Sequence, residues 1–331
     1  MIGELVSMKQ WTRRGRSCAS RALHAALLLC LMFFCCQALA QKAMQNHGIV
    51  ILYPDIADPY RSVFVRIIDG IEEKLQSKAP QMAVSSNANP ADVNEFLQKQ
   101  NAKLVIALGR QGLRQARQLN KDYAVLVGGV LVGNEAEVKN LTVHSLAPDP
   151  ALLFLRLKSL SPNAKRITVI YDPKQNDWLI KLARTAARAQ GMELHAVEAA
   201  DLKSAVSRYQ EFFSTAESGR DALWLPHDNT TVQESAILPL VLRSAWDKSL
   251  AVFSSTLSHV EKGILFSLYP DNQEIGRSLA LAARNRLSNP GKDQILPTRE
   301  VLSALNTSTA SHLGISITNR RQQFDMLFPE Q

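Results

Sequence analysis

Short apolar runs alternate with amphipathic stretches over most of the chain. Uninterrupted apolar runs of four or five residues are typical of strands that are buried on both faces. The first series of predicted strands is residues 49–52, 82–84, 104–108 and 124–127. Between them, apolar residues recur at helical spacing, as in Val63, Ile67, Ile71 and Leu75. This half of the chain therefore reads as repeated strand–helix pairs.

The same pattern begins again after a predicted helix at residues 148–160, which Pro162-Asn163 ends. The second series of predicted strands is residues 167–171, 194–197, 222–225, 250–253 and 264–268. The predicted helices between and after them are residues 177–190, 202–213, 232–245 and 272–287. Gly191 is expected to end the first of these helices.

Strands that alternate with helices predict parallel sheets covered on both faces. Two such series, divided near residues 145–165, favour two lobes over the alternative of a single sheet with some nine strands. The predicted fold class is α/β, with two doubly wound parallel-sheet lobes joined by a hinge. In such sheets ligands bind at the carboxyl ends of the strands. The candidate corners there are residues 53–60, 109–112, 171–178, 226–231 and 254–258.

The corner at residues 226–231 follows the apolar run Ala222-Leu223-Trp224-Leu225, which Pro226 ends because it has no N–H for a sheet ladder. Asp228, Asn229 and Thr230 come next and are suited to hydrogen-bonding a ligand. A second interpretation is structural, because Thr230 and Gln233 fit a capping box that would begin the following helix. This stretch alone does not decide between the two.

The other corners carry weaker signals of the same kind. Asp58 is a predicted N-cap with Pro59 at the first helical position. Gly109 and Gly112 bracket a helix start whose N–H groups are able to hold an anion, although a tight turn explains them equally well. Aromatic faces cover flat or apolar ligands, which makes Tyr53, Tyr60 and Trp178 candidates, with ordinary packing as the alternative.

The first forty residues differ from the rest. Four arginines between Arg13 and Arg21 precede a run of twelve uncharged residues, 25–36, and then Ala38-Leu39-Ala40. This order predicts a secretory signal peptide cleaved after Ala40 and a periplasmic protein. The alternative, an amino-terminal membrane anchor, needs about 20 apolar residues.

Composition narrows the function further. All four cysteines lie in the leader, which leaves none for disulfides or thiolate chemistry in the mature chain. The leader holds five Lys or Arg and one acidic residue, so the mature chain has 33 basic and 29 acidic residues and a net charge of about +4, against +8 for the whole chain. No basic run with interleaved aromatics indicates nucleic-acid binding. The sequence also lacks serine-hydrolase, zinc-protease and phosphate-loop motifs and has no histidine pair at metal-ligand spacing, so we expect no enzyme, cofactor or metal site.

Three segments resemble the substrate-binding proteins of ABC transporters with the type I periplasmic-binding-protein fold, in the branch with uncharacterised and aromatic-amino-acid-binding members. They are LVIALGRQGLRQA at residues 104–116, DALWLPHDNTT at 221–231, and the carboxyl-terminal segments at 261–277 and 306–314. The resemblance covers about residues 48–317. It implies a first lobe of residues 45–147 plus 269–297 and a second lobe of 148–268 plus 298–331, closing around a small molecule.

The function implied by the resemblance is capture of a small-molecule ligand in the periplasm and its delivery to the permease of an ABC importer. The alternative is a sensory module that signals to a membrane-bound regulator. We expect a monomer. Members of the family commonly have aspartate after the Ser-rich strand end, where this chain has Thr256. The lost carboxylate weakens the case for an amino-acid ammonium group, and the ligand class stays open.

Together these arguments give one set of expected ligand-binding residues from the corners of both lobes. Asp228 would favour a cationic or hydroxylated ligand, and Asn229 can both donate and accept a hydrogen bond. His227 also belongs to the set, although its position favours a solvated loop histidine over a ligand contact. The set is Tyr53, Asp55, Tyr60, Gly109, Arg110, Gln111, Asp172, Trp178, His227, Asp228, Asn229, Thr230 and Thr256.

Overall fold

The structure is a computed structural model that describes residues 48–289, 291–317 and 321–329. The predicted leader lies outside these residues. The strands are β1 Ile49–Pro54, β2 Gln81–Val84, β3 Leu104–Leu108, β4 Ala124–Val130, β5 Thr142–Pro148, β6 Arg166–Tyr171, β7 Glu193–Glu198, β8 Asp221–Leu225, β9 Ala251–Ser254, β10 Phe266–Pro270, β11 Ile295–Thr298, β12 Val301–Asn306 and β13 Met326–Phe328. The α-helices are α1 Tyr60–Leu75, α2 Pro90–Lys99, α3 Gly109–Ala116, α4 Pro150–Leu160, α5 Pro173–Ala189, α6 Leu202–Thr215, α7 Ile237–Asp247, α8 Leu257–Glu261, α9 Asn272–Ser288 and α10 Thr307–His312. Short 3₁₀ helices lie at Glu135–Val138 and Arg321–Gln323.

The strands form two sheets. The first sheet has the order β11-β5-β4-β3-β1-β2 and is parallel throughout. The second sheet has the order β13-β12-β10-β9-β8-β6-β7 and is parallel except where β10 and β12 run antiparallel. The predicted α/β class with two mostly parallel sheets is confirmed.

Each sheet buries both of its faces, as the unbroken apolar runs predict. Along β1, Val50 and Leu52 join one apolar cluster, whereas Ile49 and Ile51 join another that includes residues of α1 and α9. In the second sheet, Trp224 is fully buried and meets Phe154 of α4 edge-on, with ring centroids 5.6 Å apart. Helices therefore cover both faces of each sheet.

The chain passes between the two sheets three times. The passages follow β5, β10 and β11, because β6, α9 and β12 each belong to the other side. Helix α9 returns to the first sheet, where it packs on α1 at a glycine pair. A Cβ on Gly70 would overlap the carbonyl of Gln273, and one on Gly276 would overlap the carbonyl of Ile67. The backbones of the two helices are thus in direct contact.

Several predicted boundaries are wrong. The helix after β8 begins at Ile237, and its N-cap, Ala236, makes no side-chain capping bond, so the capping box of Thr230 and Gln233 is absent. Helix α5 begins at Pro173 rather than near 177, with Asp172 as its N-cap.

Two further corrections concern the corners and the count of strands. Pro59, not Asp58, is the N-cap of α1, and it also lacks a side-chain bond. Strands β5, β11, β12 and β13 are not among the strands predicted from the sequence, since they are short or broken by polar residues. In the described ranges no helix has the length and apolarity that crossing a membrane requires.

Candidate functional site

The carboxyl ends of β6, β8 and β9 meet in a cluster of polar side chains. We call this cluster the polar corner; it consists of residues 172–176, 226–231 and Thr256. Because β8 lies between β6 and β9 in the sheet, the loops that follow the three strands are neighbours. The sequence pattern singled out all three loops as candidate corners for this geometric reason.

Asp228 is the centre of the polar corner. Its side chain is only 4% exposed. One carboxylate oxygen accepts from the backbone N–H of Asp172 at 2.8 Å and from the Asn176 amide at 2.9 Å. The other accepts from the backbone N–H groups of Thr230 at 2.9 Å and Thr231 at 2.8 Å. The carboxylate thus ties the loop after β8 to the start of α5.

Asp172 is the second buried carboxylate of the polar corner. It caps α5 by accepting from the N–H of Lys174 at 3.0 Å, and it also accepts from the Gln175 amide at 3.1 Å and the Thr230 hydroxyl at 3.0 Å. Burial alone would raise the pKa of Asp172, but these hydrogen bonds outweigh it and hold the pKa below its usual value. Asp172 is therefore an ionised acceptor within the protein.

The side chains that the polar corner presents to solvent are different ones. His227 and Asn229 are exposed, and Thr256 is partly exposed. His227 Nδ1 lies 3.1 Å from the Thr256 hydroxyl, and desolvation of the ring lowers the pKa of His227. The Asn229 backbone N–H donates to Gln175 Oε1 at 3.2 Å, which leaves the Asn229 side chain free to meet a ligand.

Beneath these residues lies a histidine with two polar neighbours. His259 Nδ1 lies 2.8 Å from the Ser254 hydroxyl, and its Nε2 lies 3.5 Å from Glu234. Burial lowers the pKa of His259 to about 4. The residue types match a Ser–His–acid triad, but Ser254 is fully buried, so a substrate has no access to its hydroxyl. The group is structural.

A pocket of about 540 Å³ opens at the polar corner. Its walls include His227, Asn229, Thr256 and Glu234, and all of its lining residues belong to loops and helices that follow β8 and β9. The volume is in the range of small-molecule sites. The polar corner can therefore form one wall of a binding site.

The first sheet has a corresponding edge, after β1 and β3. Gly109 is buried and has φ +67°, and a Cβ there would collide with Pro54 and Phe64, so the turn into α3 requires glycine. Arg110 pairs with Glu137 at 3.2 Å and donates to the carbonyl of Leu131 at 3.3 Å. Gln111 is partly exposed beside them.

The other predicted residues of this edge differ in exposure. Asp55 is exposed and follows β1, Tyr53 is partly buried in the core of the first sheet, and Tyr60 of α1 is 71% exposed. The structure thus places Tyr53, Asp55, Gly109, Arg110 and Gln111 along one edge. Their contact with a ligand stays a prediction.

Trp178 occupies a different place from the one expected. It is buried on α5 and lines a groove of about 580 Å³ with residues of the 3₁₀ helix at Glu135–Val138. Lys181 pairs with Glu135 across this groove at 3.3 Å. The pocket at the polar corner does not include Trp178.

Sequence reasoning missed Gln175 and Asn176, which join α5 to the loop after β8. The signal was present, because Asp172-Pro173 is itself a capping sequence that starts a helix at Pro173. Placed in the first turn, Gln175 and Asn176 would have faced the same sheet edge as Asp172. Among the described residues, no group of three or more His, Cys, Asp or Glu is arranged to hold a metal ion.

The family of ABC transporter substrate binding proteins matches residues 153–321, just over half of the chain. A search of curated proteins finds no significant match.

Solved structures with a similar fold include the following three. The first is an ABC domain in complex with L-Trp from Streptococcus pneumonia, with 20% identity and a TM-score of 0.50, covering 84% of this chain and 98% of that one. The second is a conserved domain protein from Vibrio cholerae, with 19% identity, a TM-score of 0.51 and the same coverage. The third is a substrate-binding protein with adhesive properties from Clostridium difficile in a ligand-free, open structure, with 16% identity, a TM-score of 0.58 and again that coverage. At these identities the likeness is one of fold.

Proposed function

The chain belongs to the ABC transporter substrate-binding protein family, and on that premise we propose that it captures a small molecule in the periplasm and delivers it to an ABC importer. One observation carries the proposal beyond family membership. Strands β6, β8 and β9 end at the polar corner. Its exposed amide, imidazole and hydroxyl groups line a pocket of small-molecule size.

The ligand lies between two lobes in this proposal. The first lobe is built on the first sheet and contributes its edge after β1 and β3, with Asp55, Gly109 and Gln111. The second lobe is built on the second sheet and contributes the polar corner. We take the lobe boundaries near residues 148, 270 and 298, where the chain passes between the sheets.

Binding in such a cleft is coupled to closure of the lobes. The three passages between the sheets are the segments that would bend. The permease would then recognise the closed, ligand-loaded form. The role requires no chemical step. The hydroxyl of Ser254 is buried and out of reach of a substrate.

Export completes the proposal. The basic, apolar and small-residue order of the first forty residues would direct the chain to the periplasm and be removed after Ala40. There the protein would act as a monomer that carries its ligand to a membrane partner.

The test is native mass spectrometry of the protein purified from the periplasm without denaturation. We expect the mass of a chain that begins at Gln41, together with a bound small molecule. Gentle denaturation then releases the small molecule for identification. A chain that never carries or acquires a small molecule, even after incubation with an extract of the producing bacterium, would contradict the binding role.

A further inference from the structure

The polar corner contains two carboxylates but offers neither of them to a ligand. The two oxygens of Asp228 accept two and three hydrogen bonds from within the protein, and the residue is 4% exposed. Asp172 accepts three and is 5% exposed. These bonds fill the acceptor sites of Asp228 and three of the four of Asp172, and burial keeps both carboxylates from an incoming group.

The third carboxylate near the pocket is also occupied. Glu234 accepts from Lys262 Nζ at 2.5 Å and from the Ser258 hydroxyl at 2.9 Å. Its pKa is lowered chiefly by the bond from Lys262, which means that this carboxylate already has its counter-charge. It does not supply a free negative charge to the polar corner.

Besides the paired Glu234, the exposed groups of the polar corner that line the pocket are uncharged at neutral pH. They are the Asn229 amide, the Thr256 hydroxyl and the His227 imidazole, whose pKa is lowered by desolvation. Asn229 can donate and accept, and so can a hydroxyl. Lys174, in the first turn of α5, adds an exposed positive charge close enough to Asp172 to lower the pKa of that carboxyl.

We propose that the polar corner is an uncharged subsite that selects a neutral hydrogen-bonding group of the ligand, a hydroxyl or an amide, over an ammonium group. The proposal rests on the proposed function, because it takes the polar corner as one wall of the cleft. An ammonium group that left water here would find no unpaired carboxylate to replace its hydration, because Glu234 is paired with Lys262, and Lys174 adds positive charge beside Asp172. A hydroxyl or amide would exchange its water hydrogen bonds for those of Asn229 and Thr256.

The experiment compares two small probes of similar size, acetamide and methylammonium chloride, on the ¹⁵N-labelled mature chain at pH 8. The side-chain amide signals of Asn229 and Gln175 are assigned with Asn229→Ser and Gln175→Glu variants. We expect acetamide to shift the Asn229 amide signals in a saturable way, with methylammonium at least tenfold weaker.

A matched pair of variants tests the cause. Thr256 Oγ1 lies 3.1 Å from His227 Nδ1, at the mouth of the pocket. Thr256→Asp adds an unpaired carboxylate at this place and should bring methylammonium binding up to the level of acetamide. Thr256→Asn has the same shape without the charge and should keep the preference of the unmodified chain.

Three results would overturn the proposal. Methylammonium shifts equal to those of acetamide in the unmodified chain would show that a cation is accepted. A lack of any saturable shift with either probe would show that the polar corner is not a subsite. Failure of Thr256→Asp to gain methylammonium binding would show that the missing carboxylate is not the reason for selection. None of these decides the proposed function, which native mass spectrometry of the bound ligand tests separately.

Discussion

At the scale of residues, Asp228 and Asn229 are neighbours in sequence with opposite roles in the structure. Asp228 is buried and accepts five hydrogen bonds, whereas the Asn229 side chain is exposed at the pocket. The sequence shows two polar residues in the same loop and does not separate them, because the donors that bury one oxygen of Asp228 come from Asp172 and Asn176, more than fifty positions away.

This pair gives the first prediction. Asp228→Asn puts an amide group where two donors converge, so at least one buried N–H loses its acceptor. The cost of an unsatisfied buried donor is about 1–3 kcal/mol, and the free energy of unfolding in urea should fall by about that amount. Asn229→Ala should change it by less than about 0.5 kcal/mol.

Substitution of the exposed residue Asn229 should change ligand affinity, although it hardly changes stability. Loss of the Asn229 amide should weaken binding of the ligand recovered from the native protein by roughly 5- to 150-fold, which corresponds to about 1–3 kcal/mol. Calorimetric titration of the same variant measures it. An Asn229→Ala chain with unchanged affinity would remove this residue from the site.

At the scale of elements, local patterns predicted strands well and helix starts less well. The apolar runs around Ile51, Ile106 and Trp224 each became a buried stretch of strand, because burial on both faces demands unbroken apolar sequence. The capping box of Thr230 and Gln233 failed for a physical reason. The Thr230 hydroxyl donates to Asp172, a long-range contact that outcompetes the local cap and leaves α7 to start at Ile237.

The sequence pattern also does not predict the close contact between α1 and α9, although it contains both Gly70 and Gly276. Gly276→Ala would place a methyl group against the carbonyl of Ile67 and push the helices apart. Overpacking of this kind costs about 1–3 kcal/mol, against a gain of up to about 1 kcal/mol in helix propensity. We expect a net loss of stability in urea. Gly133→Ala is the control, because a Cβ there meets nothing within 4 Å; equal effects in the two variants would contradict the close packing of α1 on α9.

The burial of His259 in α8 predicts that the stability of the protein depends on pH. His259 is 3% exposed and burial lowers its pKa to about 4, whereas in the unfolded chain it is about 6.5. Between these values the unfolded chain binds a proton that the folded chain does not, so stability falls as the pH falls from about 6.5 towards 4. From pH 7 to pH 5 the expected contribution is roughly 1–3 kcal/mol.

His259→Gln isolates this contribution, since glutamine is uncharged at both pH values. Urea unfolding at pH 7 and pH 5 should show a smaller loss for the variant than for the unmodified chain. The other histidines with lowered pKa, His144 and His227, remain in both chains and cancel in the comparison. Equal losses in the two chains would mean that His259 is protonated in the folded protein.

At the scale of the whole molecule, the two sheets were predictable because the strand–helix pattern is repeated, whereas the three passages were expected only from the family resemblance. The carboxyl-edge rule pointed to the loops of the polar corner, whose contact with a ligand stays a prediction. The sequence could not place Trp178, whose groove depends on how the segment at Glu135–Val138 meets α5. Nor could it show that Lys181 and Glu135 join elements of the two sheets by an ion pair. Contacts between elements far apart in sequence leave no periodic signal.

The last prediction concerns closure. If the polar corner and the edge at Gly109 hold one ligand between them, the loaded protein must be more compact than the empty one, because each wall is exposed on a different sheet. The comparison uses one preparation, measured as purified and again after its ligand is stripped by guanidinium unfolding and refolding. Small-angle X-ray scattering should give a smaller radius of gyration for the loaded chain, and returning the ligand should restore it. Asn229→Ala should show a smaller difference at the same ligand concentration, since less of it is occupied. Equal radii for chains that mass spectrometry shows to be loaded and empty would mean that the ligand binds without bringing the two sheets together.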